Sequence, residues 1–286
     1  MSCAQKLLRL GIVLFGLRLS FQDIAAVGWV GVLADAGVLL STFALALWLG
    51  RRWLKLDSQT ALLIGAGSAI CGAAAVLATE PVVKAPAAKV AIAVATVVVF
   101  GTLAMFLYPV LYALQRHLDV PGVGAWAFGI YTGSTVHEVA QVAAVGNAIG
   151  PDAAKSAVIA KMMRVLMLAP FLLGLSWMMA RGEKTERGGK QGGVTVLPWF
   201  VLGFVLMAGL RSLDLAWPWM PPAVLQALLW LGNLLLATAM AALGLSTHAS
   251  VIHRAGGKPL LLGALLFAWL LVGGALLNAV VHALLG

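Results

Sequence analysis

The sequence predicts an all-α membrane protein that crosses the bilayer several times. Hydrophobic residues make up 62% of the 286 residues, charged residues make up only 10%, and the mean hydropathy is +1.00. Soluble domains carry roughly 25% charged residues, so the composition excludes a soluble domain. The apolar residues are also gathered into long segments, as bilayer-spanning helices require. We therefore expect 1–286 to form a single integral membrane domain.

The sequence contains nine apolar segments, and we compare the length of each with the roughly 20 residues that one helical span needs. The first and seventh are short. The third and fifth are rich in Gly, Ser and Thr, and we predict that they are broken helices. The segments cover approximately 5–18, 28–50, 59–79, 88–113, 123–147, 153–180, 195–211, 223–246 and 258–285.

The basic residues indicate the orientation of these segments. The formal net charge is +9, and in a soluble protein that value would suggest a nucleic-acid partner. Here the basic residues follow the second, fourth, sixth and eighth segments, so they predict cytoplasmic loops and a periplasmic C-terminus. The polar, Gly-rich stretch 181–193 is predicted to be a cytoplasmic linker between the helix groups 1–180 and 194–286.

The first segment is short and contains charge. Arg9 and Arg18 interrupt or end it, and no small-residue cleavage site follows. We therefore expect a genuine first helix rather than a signal peptide, in a chain that has lost upstream sequence.

Two internal similarities predict repeats. Residues around 16–28 recur around 244–256, at an offset of 228, in helices that the nine-segment topology makes antiparallel, as an inverted repeat requires. Residues around 67–91 recur around 133–157, at an offset of 66, in helices that the same topology makes parallel. The alternative is that apolar helices match by composition alone.

Charged residues inside the fifth and sixth segments are the strongest indication of a site. A charge in hydrocarbon costs several kcal/mol, so it usually faces a partner or a watery cavity. If the two helices form a hairpin centred on Pro151, Glu138 lies level with Arg164 and Gln141 lies level with Lys161. His137 shares a helix face with Gln141.

Two readings of this cluster stay open. In the functional reading, Arg164 and Lys161 attract an anion, while Glu138 and His137 exchange protons or hold a cation. In the structural reading, a Glu138–Arg164 bridge only locks two helices together. Asp35, a lone acid in the second segment, is either a further proton site or a hydrogen-bonding group.

The Gly-rich stretch 65–75 predicts a second part of the site. Three glycines in eight residues weaken a helix, and a break there would point free N–H groups at an anion. The alternative is tight helix packing by small residues. The stretch 129–134 makes a similar case in the fifth segment, next to the charged cluster.

Enzyme motifs are missing from the sequence. HEVAQ at 137–141 differs from the HExxH zinc motif by Gln141 in place of the second His, and Gln is a poor zinc ligand. There is no P-loop, GxSxG or dinucleotide fingerprint. We therefore expect no enzyme activity, no cofactor and no bound metal.

Four strings resemble the YeiH family of bacterial inner-membrane proteins. They are GAGSAICGAAAVLATEP at 65–81, GSTVHEVAQV at 133–142, KMMRV at 161–165 and AALGLSTH at 241–248. The resemblance covers nearly the whole chain. The resemblance implies membership of a largely uncharacterised family whose members are commonly labelled as sulfate exporters. That family is grouped with cation/proton antiporters and anion symporters. The resemblance therefore also implies inverted repeats and crossed broken helices. Family members usually carry further helices before the segment 7–19, so the resemblance also implies a truncated chain.

These observations predict secondary transport of a small anion, sulfate or an organic sulfonate, coupled to protons or sodium across the inner membrane. The alternatives are a proton/cation antiporter and a non-transporting scaffold or sensor. The partners are then the anion, the coupling ion and the lipid bilayer, with no nucleic acid, and a homo-oligomer is left open. The predicted substrate-binding residues are Ser68, Cys71, Gly72, Ser134, Thr135, Lys161 and Arg164, and the predicted coupling residues are His137, Glu138, Gln141 and Asp35.

Overall fold

Every regular element in the described part of the chain is helical. The computed structural model describes residues 6–7, 10–11, 13–14, 16–18, 20–117, 124–186, 199–245 and 256–285. A 3₁₀ turn at Gly16–Arg18 precedes the first long helix, and a π turn at Leu49–Trp53 follows it. The helices are α1 (Phe21–Trp48), α2 (Ser58–Ala69), α3 (Ala73–Val83), α4 (Ala87–His117), α5 (Ala125–Thr135), α6 (Val139–Ile149), α7 (Pro151–Leu166), α8 (Leu168–Glu186), α9 (Trp199–Ala216), α10 (Pro222–Leu245) and α11 (Lys258–Leu285).

Length and composition identify the protein as a membrane protein. Among the described residues, four helical stretches are long and apolar enough to cross a bilayer: Gly31–Trp53, Ala87–His117, Pro151–Met179 and Lys258–Val281. Large apolar side chains also cover the outside, where lipid can replace water as the solvent; Leu40, Phe106 and Trp230 are 65%, 66% and 67% exposed. The nine-segment topology and its loop orientation stay predictions.

Both predicted helix breaks are found. The first break, residues 70–72, separates α2 from α3, and the second break, residues 136–138, separates α5 from α6. Gly72 has φ +69, a value that favours glycine, and it directly precedes the first residue of α3. In the second break Val136 and Glu138 are extended, with ψ values of 144 and 149.

Small residues let α5 lie directly against α7. A Cβ on Gly133 would overlap the carbonyl oxygen of Ala157 and would lie 2.7 Å from the Cβ of Ala160. A Cβ on Gly129 would lie 2.6 Å from the carbonyl oxygen of Ala153. The glycines therefore set the distance at which the second break meets α7.

The hairpin between α6 and α7 turns where the sequence predicts it. Gly150 has φ +149, and Pro151 occupies the first turn of α7, where its missing N–H costs no helical hydrogen bond. Gly146 packs on Ala154 across the hairpin. Met167 alone separates α7 from α8, and its backbone is helical, so the two form one long span.

Part of the predicted linker is helical. The backbone of α8 continues to Glu186, beyond the start of the linker predicted at 181–193. The rest of that linker lies outside the described residues. Residues 246–255 are not described either, so much of the second copy of the repeat predicted at an offset of 228 also lies outside the described residues.

We predict that Gly133→Leu strongly destabilises the protein, whereas Gly174→Leu does not. The new side chain at 133 must displace the backbone of α7, and overpacking of this kind costs roughly 1–3 kcal/mol or more. Gly174 is the matched control, because nothing lies within 4 Å of a Cβ there. Thermal unfolding in detergent measures both variants, and equal midpoints would contradict the close packing of α5 on α7.

Asp57 fixes the start of α2 outside the spans. Its carboxylate accepts hydrogen bonds from the Thr60 amide at 3.1 Å and from the Lys89 ammonium at 2.6 Å. Partial burial raises the pKa of the Asp57 carboxyl, but the contacts with Lys89 and Thr60 outweigh that effect and leave the pKa below its usual value.

The lowered pKa of Asp57 predicts an acid-sensitive contribution to stability. An acid whose pKa is lower in the folded than in the unfolded chain stabilises above its unfolded pKa of about 3.9, and the contribution disappears as pH falls through the folded value. Asp57→Asn keeps a side chain that can cap the helix but that cannot ionise. The variant should therefore lose less stability than wild type when the pH falls from roughly 5 to 3. Unfolding midpoints across that range measure the difference, and parallel curves would refute the prediction.

Candidate functional site

One lysine joins the two helix breaks. The Lys161 ammonium on α7 donates to the carbonyl oxygen of Ile70 at 2.8 Å and to that of Val136 at 2.6 Å. Ile70 belongs to the first break and Val136 to the second. Lys161 is 1% exposed, so its charge is satisfied by backbone oxygens rather than by water. The two breaks therefore face the same ammonium group.

Arg164 adds a second cation on the same face of α7. Its Nη2 donates to the carbonyl oxygen of Ala69, the last residue of α2, and the side chain is fully buried. Helix carboxyl ends carry partial negative charge, so cations are favourable next to them. Lys161 and Arg164 thus lie at the carboxyl ends of α2 and α5.

The predicted pairing of Glu138 with Arg164 is wrong. Glu138 instead lies at the amino end of α3, where its Oε1 accepts from the Ala73 amide at 3.4 Å. The backbone N–H of Glu138 donates to Gln141 Oε1 at 3.1 Å, and the Gln141 side chain fills the space beside Gly101 of α4. The prediction assumed a continuous helix through 136–138, and the break moves Glu138 away from the register that such a helix would have.

Glu138 also lies against the backbone of the first break. A Cβ on Gly72 would be 2.7 Å from Cγ of Glu138, so only glycine leaves room for the side chain. The acid therefore lies at the amino ends of α3 and α6, the helices that follow the two breaks. It directly precedes Val139, the first residue of α6, and its side chain reaches the amino end of α3. Cations at carboxyl ends and an acid at amino ends match the charges of both pairs of half-helices.

A cavity of about 490 Å³ opens beside the amino ends of α3 and α6. The first two residues of α3, Ala73 and Ala74, line it, and so do the first two residues of α6, Val139 and Ala140. Two helix amino ends therefore meet one cavity. N–H groups at such ends bind anions, and here the Ala73 N–H already donates to the Glu138 carboxylate.

In the part of the chain that the structure describes, four residues with polar side chains also line the cavity. Cys71 and Glu138 come from the two breaks, and both are among the residues predicted from the sequence. Arg18 and Asn233 come from distant parts of the chain, and the Arg18 Nη2 donates to Asn233 Oδ1 at 2.7 Å. Neither residue is among those predicted from the sequence to form the site. The signal was present, since each is a strongly polar residue in an apolar segment.

Ser134 and Thr135 lie in the packing around α5. Ser134 Oγ donates to the Tyr131 carbonyl oxygen at 3.0 Å and accepts from Asn278 Nδ2 at 2.9 Å. Thr135 Oγ1 accepts from the hydroxyl of Tyr108 at 2.8 Å. Neither residue lines the cavity, so their contacts hold α5 against α4 and α11.

Three other predicted residues are buried and carry polar atoms without a hydrogen-bond partner among the described residues. They are Asp35 through Oδ1, Ser68 through Oγ and His137 through Nδ1. The same holds for Nε and Nη1 of Arg164. Asp35 is not among the residues that line the cavity.

Sequence comparisons connect the chain to membrane proteins. Residues 1–263 match the family model described as conserved hypothetical protein 698. UPF0324 membrane protein PA5383 of Pseudomonas aeruginosa is 58% identical over 275 residues, which are 96% of this chain and 76% of that protein. The UPF0324 inner membrane protein YeiH of Escherichia coli strain K12 is 53% identical over 283 residues, 98% of this chain and 78% of that protein. No solved structure matches the chain.

Lys161→Met should destabilise the protein markedly. The change keeps much of the side-chain volume but removes the donors for two buried carbonyl oxygens, and each unsatisfied buried group costs roughly 1–3 kcal/mol. Lys155→Met is the matched control, because Lys155 is an exposed lysine on the same helix. Unfolding in detergent compares the two, and a Lys161→Met protein as stable as Lys155→Met would show that the lysine does not hold the breaks.

Proposed function

Because the chain belongs to the family of conserved hypothetical protein 698, which includes the YeiH inner membrane proteins, we propose that it is a secondary active transporter of a small anion. The substrate is of the sulfate or organic sulfonate class, and transport is coupled to protons. The protein performs no chemical reaction and needs no cofactor in this proposal. The basic loops are cytoplasmic and the C-terminus is periplasmic.

One observation carries the proposal: the amino ends of α3 and α6 open into one cavity that also contains Arg18. Helices that break inside a membrane leave N–H groups without helical partners, and transporters of this architecture use such groups to hold anionic substrates. An arginine adds a full positive charge and up to five donors, in a geometry that suits oxyanions.

Lys161 and Arg164 have a different task in this proposal from the one that the sequence suggested. Lys161 is engaged by the carbonyl oxygens of Ile70 and Val136, and neither cation lines the cavity. We assign them to positioning: they keep the two breaks together and so aim the amino ends of α3 and α6 into the same space. The anion contacts are assigned to Arg18 and to backbone N–H groups near Cys71 and Glu138.

Glu138 couples the anion to a proton. Its carboxylate lies at the Ala73 amide, which is one of the groups that an incoming anion needs. An ionised Glu138 therefore competes with the anion for the same donor and repels it, because like charges close together are unfavourable. Protonation removes that repulsion, so the proton and the anion bind together.

The positions of the breaks support a repeated transporter architecture. Ala69 ends α2 and Thr135 ends α5, 66 positions later. Ala73 begins α3 and Val139 begins α6, again 66 positions apart. This is the offset of the second internal similarity in the sequence, so the two breaks fall at corresponding positions of the two similar stretches.

A proton/cation antiporter is the second candidate, and Asp35 favours it. This acid is 3% exposed, and its Oδ1 has no hydrogen-bond partner among the described residues. A carboxylate buried in that way is a candidate for holding a proton or a sodium ion.

The proposal predicts that anions stabilise the purified protein and that Arg18→Gln abolishes this effect. A ligand at 100 times its dissociation constant stabilises by about 2.7 kcal/mol, which thermal unfolding in detergent detects. Sulfate and methanesulfonate are compared with matched concentrations of chloride. Arg116→Gln is the control, because Arg116 is an exposed arginine at the end of α4.

The same assay separates the coupling role from the binding role. Glu138→Gln should keep the stabilisation by anions but lose its dependence on pH, because the amide cannot ionise. Anion uptake into proteoliposomes should then no longer respond to a pH gradient. Stabilisation by sodium alone, unchanged in Arg18→Gln and lost in Asp35→Asn, would instead establish the antiporter.

A further inference from the structure

We infer that the substrate is an organic anion with one charged head group and an apolar body, rather than inorganic sulfate. This inference rests on the proposed transport of an anion and narrows its substrate class. It follows from what the cavity offers beyond the two helix amino ends and Arg18.

The walls of the cavity are almost wholly apolar. The apolar residues of these walls belong to α3 and α6, which follow the two breaks, and to α7, α8 and α9. They are Ala73, Ala74, Leu77, Val139, Ala140, Ala143, Val165, Leu168 and Phe204. Inorganic sulfate would exchange a full hydration shell for hydrocarbon on most sides, which is unfavourable for an ion. A methylene chain is stabilised against the same walls.

The apolar part and the anion-binding part are arranged in sequence along the helices. Ala73 begins α3, and Leu77 lies about one turn further on. Val139 begins α6, and Ala143 lies about one turn further on. The donors are therefore at the amino ends and the apolar wall continues away from them, which matches an anionic head followed by an apolar chain.

The size and charge of the cavity also favour an organic anion with a single negative charge. A volume of about 490 Å³ lies within the range of sites for organic molecules, roughly 300–1,000 Å³, and is far more than one inorganic oxyanion fills. Among the described residues that line the cavity, Arg18 is the one cationic side chain, and Glu138 lies in the same space. This charge balance suits a single negative charge better than two.

A series of alkanesulfonates tests the inference on the purified full chain. Dissociation constants for methane-, propane- and hexanesulfonate are measured by thermal unfolding and compared with that of sulfate. Each added methylene should tighten binding about fourfold while the cavity has room, and sulfate should bind more weakly than propanesulfonate. The ω-amino analogue of propanesulfonate, which puts a charge at the far end, should also bind more weakly.

A variant that fills part of the cavity tests where the alkyl chain of the sulfonate lies. Ala143→Leu narrows the apolar wall, so it should weaken hexanesulfonate binding at least tenfold more than methanesulfonate binding. Ala144→Leu makes the same change at the next residue, which is exposed and outside the cavity, and should leave the two constants at their wild-type values.

The outcomes separate this inference from the transport proposal. Equal or tighter binding of sulfate, with no effect of chain length, would overturn the inference and leave anion transport standing. Binding of a neutral alcohol of the same chain length as tight as that of the sulfonate would also overturn it, because the head group would then contribute nothing. Binding of no anion at all, in wild type as in Arg18→Gln, would overturn both.

Discussion

The ammonium group of Lys161 is the contact on which the rest of the site depends. A helix that breaks in an apolar environment exposes carbonyl oxygens that cannot find water, and each such group is costly to leave unpaired. Two helices break in the described part of the chain, and Lys161 pairs with one carbonyl from each break. The breaks can therefore persist only while they lie next to each other and next to α7. The glycines of α5 make that approach sterically possible.

This arrangement puts different charges at the two ends of the breaks. Lys161 and Arg164 lie where α2 and α5 end, and Glu138 lies where α3 and α6 begin. The charges oppose the helix dipoles on both sides, so the breaks are stabilised locally. The cavity is on the side of the amino ends, which is the side where an anion finds donors. Structure and proposed function thus derive from one feature, since the breaks that Lys161 holds together also place two helix amino ends at the proposed anion site.

The sequence predicts which residues belong to this site better than it predicts how they are arranged. Local glycine and hydroxyl content predicted both breaks, and intramembrane charge identified Glu138, Lys161 and Arg164 as residues of one region. The register between Glu138 and Arg164 was wrong, because it was projected along a helix that does not continue through 136–138. Arg18 and Asn233 are 215 positions apart, and no local pattern predicts that two such residues line one cavity. The partners of Lys161 are backbone oxygens, which carry no sequence signal at all.

Alkylation of Cys71 tests the central claim most directly. This thiol lies in the first break and lines the cavity, so a small alkylating reagent that enters the cavity reports on its occupancy. In a Cys3→Ser protein, the account predicts that an anionic substrate slows the alkylation of Cys71 and that Arg18→Gln removes the protection. A rate of alkylation that no anion changes, in a protein that is folded and open to the reagent, would contradict an anion site where the two broken helices meet.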